Sequence, residues 1–145
     1  MRIAILSDTH DRLPDHVLDA VRAADEIWHL GDVVTPTILD RLRALQRPLR
    51  VVRGNCDDCA DWPLVLDFQL AGVHFVLTHI PPRVPPPGID ALLHGHTHVP
   101  RHEIVSGVRM LNPGCITRPN KGAPASYAWL ELHAGEPLRW ETVLV

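Results

Sequence analysis

The chain opens with a short apolar block, residues 2–6, too brief for a helix and without polar alternation, which predicts a strand buried on both faces. The spacing then changes. Leu13, Val17, Leu18 and Val21 recur on one helical face, and Pro14 suits a first turn, so a helix is expected over residues 14–24. Residues 26–30 read as the next strand. A second helix follows over 36–45, with Ile38, Leu39, Leu42 and Leu45 as its apolar stripe and Thr35 as its N-cap. Residues 49–52 are a third strand. This strand, helix, strand, helix, strand order implies a parallel sheet with right-handed crossovers.

Beyond Arg53 the helical period disappears and turn signals crowd together. Strands are expected over 64–70 and 73–78, flanking Ala71-Gly72, then over 89–93. Further pairs follow, 101–105 with 108–111 around Ser106-Gly107, and 126–132 with 138–144 around Ala134-Gly135. Residues 80–88 hold five of the 14 prolines, which excludes a helix or a central strand and predicts a stiff surface loop. The pattern is an α/β first half joined to a β-rich second half, with two sheets packed face to face.

Composition narrows the function classes. At 145 residues with 46% hydrophobic and 21% charged positions, the chain fits one globular domain, 1–145, rather than disorder or a fibrous repeat. Lys+Arg 14 against Asp+Glu 17 gives a net charge of −3, so no basic field draws nucleic acid or an anionic membrane. No apolar run is long enough for a membrane span or a signal-peptide core, so a cytoplasmic protein is expected. Three cysteines are an odd number, and reduced thiols are expected. The excess of histidine, 10 residues, is the informative departure, because histidine is the common neutral ligand of transition metals.

Those histidines fall where strands end. The first strand runs into Asp8-Thr9-His10, the second into Gly31-Asp32 and the third into Gly54-Asn55-Cys56-Asp57. The strand ending at Thr78 runs into His79, and the one ending at Leu93 into Gly95-His96-Thr97-His98. Side chains at the carboxyl ends of strands in an α/β sheet converge on one crevice. Two carboxylates (Asp8, Asp32), four histidines (His10, His79, His96, His98) and the amide oxygen of Asn55 suit Mn, Fe, Zn, Co or Ni better than Ca or a thiolate-bound ion. Seven donors exceed one four-coordinate site. They suit two ions about 3.5–4 Å apart that share a carboxylate and clamp a phosphoryl group. Two divalent ions add about +4 locally, which lets an acidic chain hold a phosphate.

These five motifs, in this order and closing on Gly-His-Thr-His, make residues 2–119 resemble the calcineurin-like metallophosphoesterases, in particular their small bacterial and archaeal phosphodiesterases. The resemblance implies a four-layer αββα sandwich, two mixed β-sheets face to face with helices outside. It implies that Asp8, His10, Asp32 and His98 hold one divalent ion, and that Asn55, His79, His96 and a bridging Asp32 hold the other. Manganese leads the candidates, followed by Ni, Co, Fe and Zn. The implied activity is a phosphodiesterase acting on a small phosphate ester by in-line attack of a metal-bridging hydroxide, with Asn55 and Asp57 orienting and Cys56 facing the substrate. Many members carry histidine where this chain has Cys56, and a smaller branch has cysteine there. Without that histidine, substrates with good leaving groups are favoured. The family's helix between the last two metal-binding strands is cut back here to the proline-rich loop, and Asn112-Pro113-Gly114-Cys115 resembles a family loop that usually has serine last. The other reading is a catalytically silent binding scaffold of the same fold, as in the retromer subunit similar to this family. A scaffold can shed metal-binding residues, and this chain has kept all seven.

Other residues carry weaker signals. His16, His74, His102 and His133 have no motif around them and read as structural. His29 and His94 flank the motifs and are candidates to brace a ligand. Cys56 and Cys59 have Cys-x-x-Cys spacing, but a redox pair is expected to open a helix and a structural zinc site needs a second pair. Arg12, Arg53 and Arg118 lie in or near motif loops and are candidates for phosphate contact. Trp62, Trp129 and Trp140 are expected to contribute an exposed apolar patch, with either a monomer or a small homo-oligomer in solution.

Overall fold

In a computed structural model describing residues 1–145, ten strands and two short helices form. Their order is β1 (Arg2–Leu6), α1 (Asp15–Val21), β2 (Glu26–His29), α2 (Thr37–Arg43), β3 (Leu49–Val51), β4 (Val65–Leu70), β5 (Val73–Thr78), β6 (Ala91–Leu93), β7 (Arg101–Val105), β8 (Val108–Asn112), β9 (Ser126–Glu131) and β10 (Arg139–Leu144). They build two mixed five-stranded sheets, β10-β9-β1-β2-β3 and β4-β5-β6-β8-β7. The expected hairpins β4/β5, β7/β8 and β9/β10 are antiparallel, and β1, β2 and β3 are parallel.

The layering follows from side-chain alternation. Ile3, Ile5, Trp28 and Leu30 of the first sheet meet Phe75, Leu77, Leu93 and Leu111 of the second in the layer between them. Ala4, Leu6 and Ile27 point the other way and are covered by Val17 and Val21 of α1 and Ile38, Leu39 and Leu42 of α2. Covered on both faces, β1 and β2 are buried almost end to end, as a parallel sheet requires. The outer face of the second sheet is treated differently. Val76, Leu92, Val108 and Met110 pack there with Ile89, and no helix crosses them. The expected helix on this face is absent: the connection between β5 and β6 contains none, and Ile89 at its end packs against the sheet.

Some local expectations are corrected. Both helices are shorter than the expected 14–24 and 36–45, their C-terminal ends passing into non-helical turns from Arg22 and Ala44. Thr35 does not cap α2: Pro36 occupies that position, and the Thr35 hydroxyl donates to the Asp11 carboxylate instead. Trp129 is not part of an exposed patch. It lies on β9 between β1 and β10, packs into the layer under the helices and carries the Arg2 guanidinium 4.0 Å over its ring. Trp62 and Trp140 are half-buried.

Register decides where the chemistry gathers. Leu6 pairs with His29 and His29 with Val51, so β1, β2 and β3 end level. In the second sheet Leu77 pairs with Leu93 and Leu93 with Leu111, so β5, β6 and β8 also end level. The six loops that follow these strands meet at one end of the sandwich.

Candidate metal centre

Asp8, His10, Asp32 and His98 bring one ligand atom each to within 4.8 Å of one another. His98 Nε2 lies 3.1 Å from Asp8 Oδ1 and 3.2 Å from His10 Nε2. A second group adjoins it: His79 Nε2 is 3.0 Å from Asn55 Oδ1, and His96 Nδ1 is 2.9 Å from the same oxygen. Asp32 stands between the two. Its Oδ2 faces His10 at 3.8 Å, and its Oδ1 faces His79 at 3.4 Å. All seven donors singled out from the sequence are thus gathered at one place.

The donor set has the chemistry of a candidate cation site. Asp8 Oδ2 accepts from the Ser7 hydroxyl at 2.6 Å and from the His96 N–H at 3.2 Å. Its Oδ1 is buried with no hydrogen-bond partner, and only one other buried side-chain polar atom, Trp140 Nε1, shares that condition. Such a carboxylate oxygen, ringed by imidazole nitrogens, fits a divalent transition metal. Burial pushes the Asp8 carboxyl above its ordinary range, the sign of a charge lacking its compensation. Asp32 shows the reverse: burial opposes its ionisation, but hydrogen bonds with His79 and the Cys56 N–H hold it well below the carboxylate range.

The ring nitrogens are aimed by their other faces. His79 Nδ1–H donates to the Leu30 carbonyl at 2.8 Å and His98 Nδ1–H to the Arg118 carbonyl at 2.5 Å, which leaves Nε2 of each with its lone pair toward the site. Backbone strain concentrates here as well. Asp8, His10, Asp32, His96 and His98 all have positive φ, between 41° and 68°, at about 1–3 kcal/mol each. Only a small residue fits between the loops. A Cβ on Gly54 would overlap the Asp32 backbone nitrogen, and one on Gly95 would overlap the Ser7 hydroxyl.

Cys56 and Asp57 play unlike parts. Cys56 is exposed, and its N–H donates to Asp32 Oδ1 at 2.9 Å. Partial burial and then the Asp32 carboxylate push its thiol pKa up, so it carries a proton. Cys56 and Cys59 are both free thiols. Asp57 is buried, and its carboxylate accepts three backbone N–H bonds, from Asp32 at 2.9 Å, Gly54 at 2.7 Å and Val34 at 2.7 Å. It ties the loop after β3 to the loop after β2, and is a positioning residue.

The flanking histidines are braces. His29 Nδ1 accepts from the Gly31 N–H and its Nε2 meets the Thr9 hydroxyl, and burial lowers its pKa to about 4. His94 is likewise driven by burial to about 4 and stays neutral. Sequence reading assigned nothing to Asn112-Pro113-Gly114-Cys115, yet this loop locks the site. Asn112 Nδ2 donates to the Gly95 carbonyl and the Thr97 hydroxyl, both at 3.0 Å, and the buried Cys115 thiol donates to the Asp8 carbonyl at 3.2 Å. The available signal was a sixth strand end at the site, that of β8, running into an Asn-Pro-Gly turn.

Comparison with known proteins agrees with this geometry. The calcineurin-like phosphoesterase superfamily domain model matches residues 1–135. A probable metallophosphoesterase from Methanothermobacter thermautotrophicus is 34% identical, over 86% of this chain and 83% of its own length. Phosphodiesterase YfcE from Escherichia coli K12 is 30% identical, over 90% of this chain and 88% of its own. Among solved structures, Vps29 from Entamoeba histolytica, complexed with Zn²⁺, superposes with a TM-score of 0.80 at 22% identity, covering 99% of both chains, which speaks to the fold alone. With its Asp/His cluster at the level ends of six strands and a family match over most of its length, this chain belongs to the calcineurin-like phosphoesterase superfamily.

Proposed function

We propose that this chain is a phosphodiesterase working with two divalent metal ions, manganese foremost, on a small phosphate ester in the cytoplasm. The observation that carries the reading is the division of Asp32, with Oδ2 toward His10 and Oδ1 toward His79. In it, Asp8, His10, Asp32 and His98 hold one ion, and Asp32, Asn55, His79 and His96 the other. When bound, the two ions supply Lewis acidity toward phosphate oxygens and an activated water. The chain's own part is to hold the donors rigid through Asp57, Asn112 and the two backbone-anchored histidines, so that nothing reorganises during the reaction. Cys56, a neutral thiol beside the donors, offers a hydrogen bond to the substrate in place of the histidine that many members carry there, and a thiol whose pKa is pushed up is a poorer match to general-acid work near neutral pH than an imidazolium. Phosphodiesters with good leaving groups are therefore the expected substrates. Nucleic acid and membrane are not partners in this reading, consistent with a net charge of −3 and with no helix long and apolar enough to cross a membrane. A silent scaffold would share the fold, but the retention of all seven donors in converging geometry favours the enzyme. Metal-loaded Asp32→Asn should lose nearly all turnover of an activated phosphodiester, and hydrolysis at the wild-type rate would refute the scheme.

A further inference from the structure

A cleft of about 490 Å³ opens beside the second donor group, with Asn55 and His79 at its inner end. Its size falls in the range of small-molecule sites. Leu64, Val65 and Ile80 form its outer wall, and each is more than half exposed. Arg53 and Thr78 complete the lining with Gly54 and Asp57. The polar inventory is short. The Asp57 carboxylate is spent on three backbone N–H groups, and the Thr78 hydroxyl donates to the Ile80 carbonyl at 3.4 Å. The Arg53 backbone N–H is fixed to the Pro63 carbonyl at 2.8 Å, while its guanidinium makes no hydrogen bond or ion pair. An aliphatic wall with one free planar cation at its side can hold an apolar group bearing a negative charge.

We infer that this cleft receives one ester group of the phosphodiester, and that the group is an aliphatic or aryl moiety carrying its own anionic substituent, paired by Arg53. The inference rests on the phosphodiesterase reading for the name of the substrate class, but its test reads binding and needs no turnover. Two slowly hydrolysed esters of methylphosphonic acid, the phenyl and the 4-carboxyphenyl ester, are titrated calorimetrically into zinc-loaded protein. The carboxylated ester is expected to bind at least tenfold more tightly. Arg53→Gln should abolish that difference. Val65→Asp, on an exposed edge-strand position that tolerates a polar side chain, should weaken both esters and the carboxylated one more. Equal affinities in the wild type, a preference that survives Arg53→Gln, or no binding of either ester overturns the inference. If the esters rank as expected while the corresponding p-nitrophenyl diesters are not turned over with any metal, the subsite stands and the hydrolytic reading falls.

Discussion

Replacing Asp57 with alanine removes the acceptor of three backbone N–H groups, those of Asp32, Val34 and Gly54, at 2.9, 2.7 and 2.7 Å. Hydrogen bonds to a charged group contribute about 1.5–3 kcal/mol each. Asp57 is only 8% exposed, so water replaces the lost acceptor incompletely. Because the three bonds share one carboxylate they are not additive, and a loss of about 4 kcal/mol is expected. For a chain of this length that lowers Tm by about 10–15 °C. The same loss frees the loop that aims Asp32, so divalent metal affinity should fall about 10–100-fold, the usual effect of removing a residue that orients a ligand. Asp57→Asn keeps one acceptor oxygen and places an NH₂ against an N–H, so about half the loss is expected. Thermal unfolding of the metal-free proteins measures the first effect, and calorimetric zinc titration the second. An Asp57→Ala protein that melts within about 2 °C of wild type and binds zinc with unchanged affinity would refute this account of how the loops are held.

Two other perturbations probe the packing around the site. Gly95→Ala places a Cβ into the Ser7 hydroxyl and 2.8 Å from Asp8 Oδ2, so zinc affinity should collapse while the far-UV spectrum stays native; unaltered affinity would show that the loops yield easily. His74 joins β5 to the end of the proline-rich segment, with Nε2 2.7 Å from Asp67 Oδ1 and Nδ1 3.0 Å from the Gly88 carbonyl, two bonds that only the imidazolium donates together. The Asp67 carboxylate raises its pKa, so this clamp is fully present below the unfolded value of about 6.5 and is lost as pH rises through the higher folded value. An NMR titration should place His74 above 6.5, and Asp67→Asn should lower it; a His74 titrating at or below 6.5 contradicts the clamp.

Much of this was legible because it is local. Buried strands such as β1 and β2 advertise themselves as apolar blocks, α1 and α2 by their stripes, and the hairpins by Ala71-Gly72 and Ser106-Gly107. The seven donors were legible because each follows a strand, and strand ends in an α/β sheet converge. What escaped is non-local. Asn112 acts through Gly95 and Thr97, and Cys115 through the Asp8 carbonyl, and no periodicity links those positions in the chain. Asp57 reads as an orienting group, but its three backbone partners, two of them more than twenty residues away, are not legible in the chain. Trp129 is non-local in the same way: its face of β9 is covered by the cluster under the helices and by Arg2, which its own hairpin does not announce. His74 shows that a histidine without a motif can still tie two segments together when the fold brings a carboxylate and a carbonyl to its ring.

The central claim is that two metal ions, held in common through Asp32, make an acidic chain into a phosphodiesterase. Its most direct test counts bound metal and turnover together. The metal-free protein is titrated with Mn, Ni, Co, Zn and Mg in turn, and hydrolysis of bis(p-nitrophenyl) phosphate is followed alongside the number of ions bound per chain. The account predicts activity that appears only as the second ion binds, with manganese among the activating metals and no measurable phosphate binding by the metal-free protein. Full activity with a single ion per chain, or two bound ions and no turnover with any of the five metals, would contradict it.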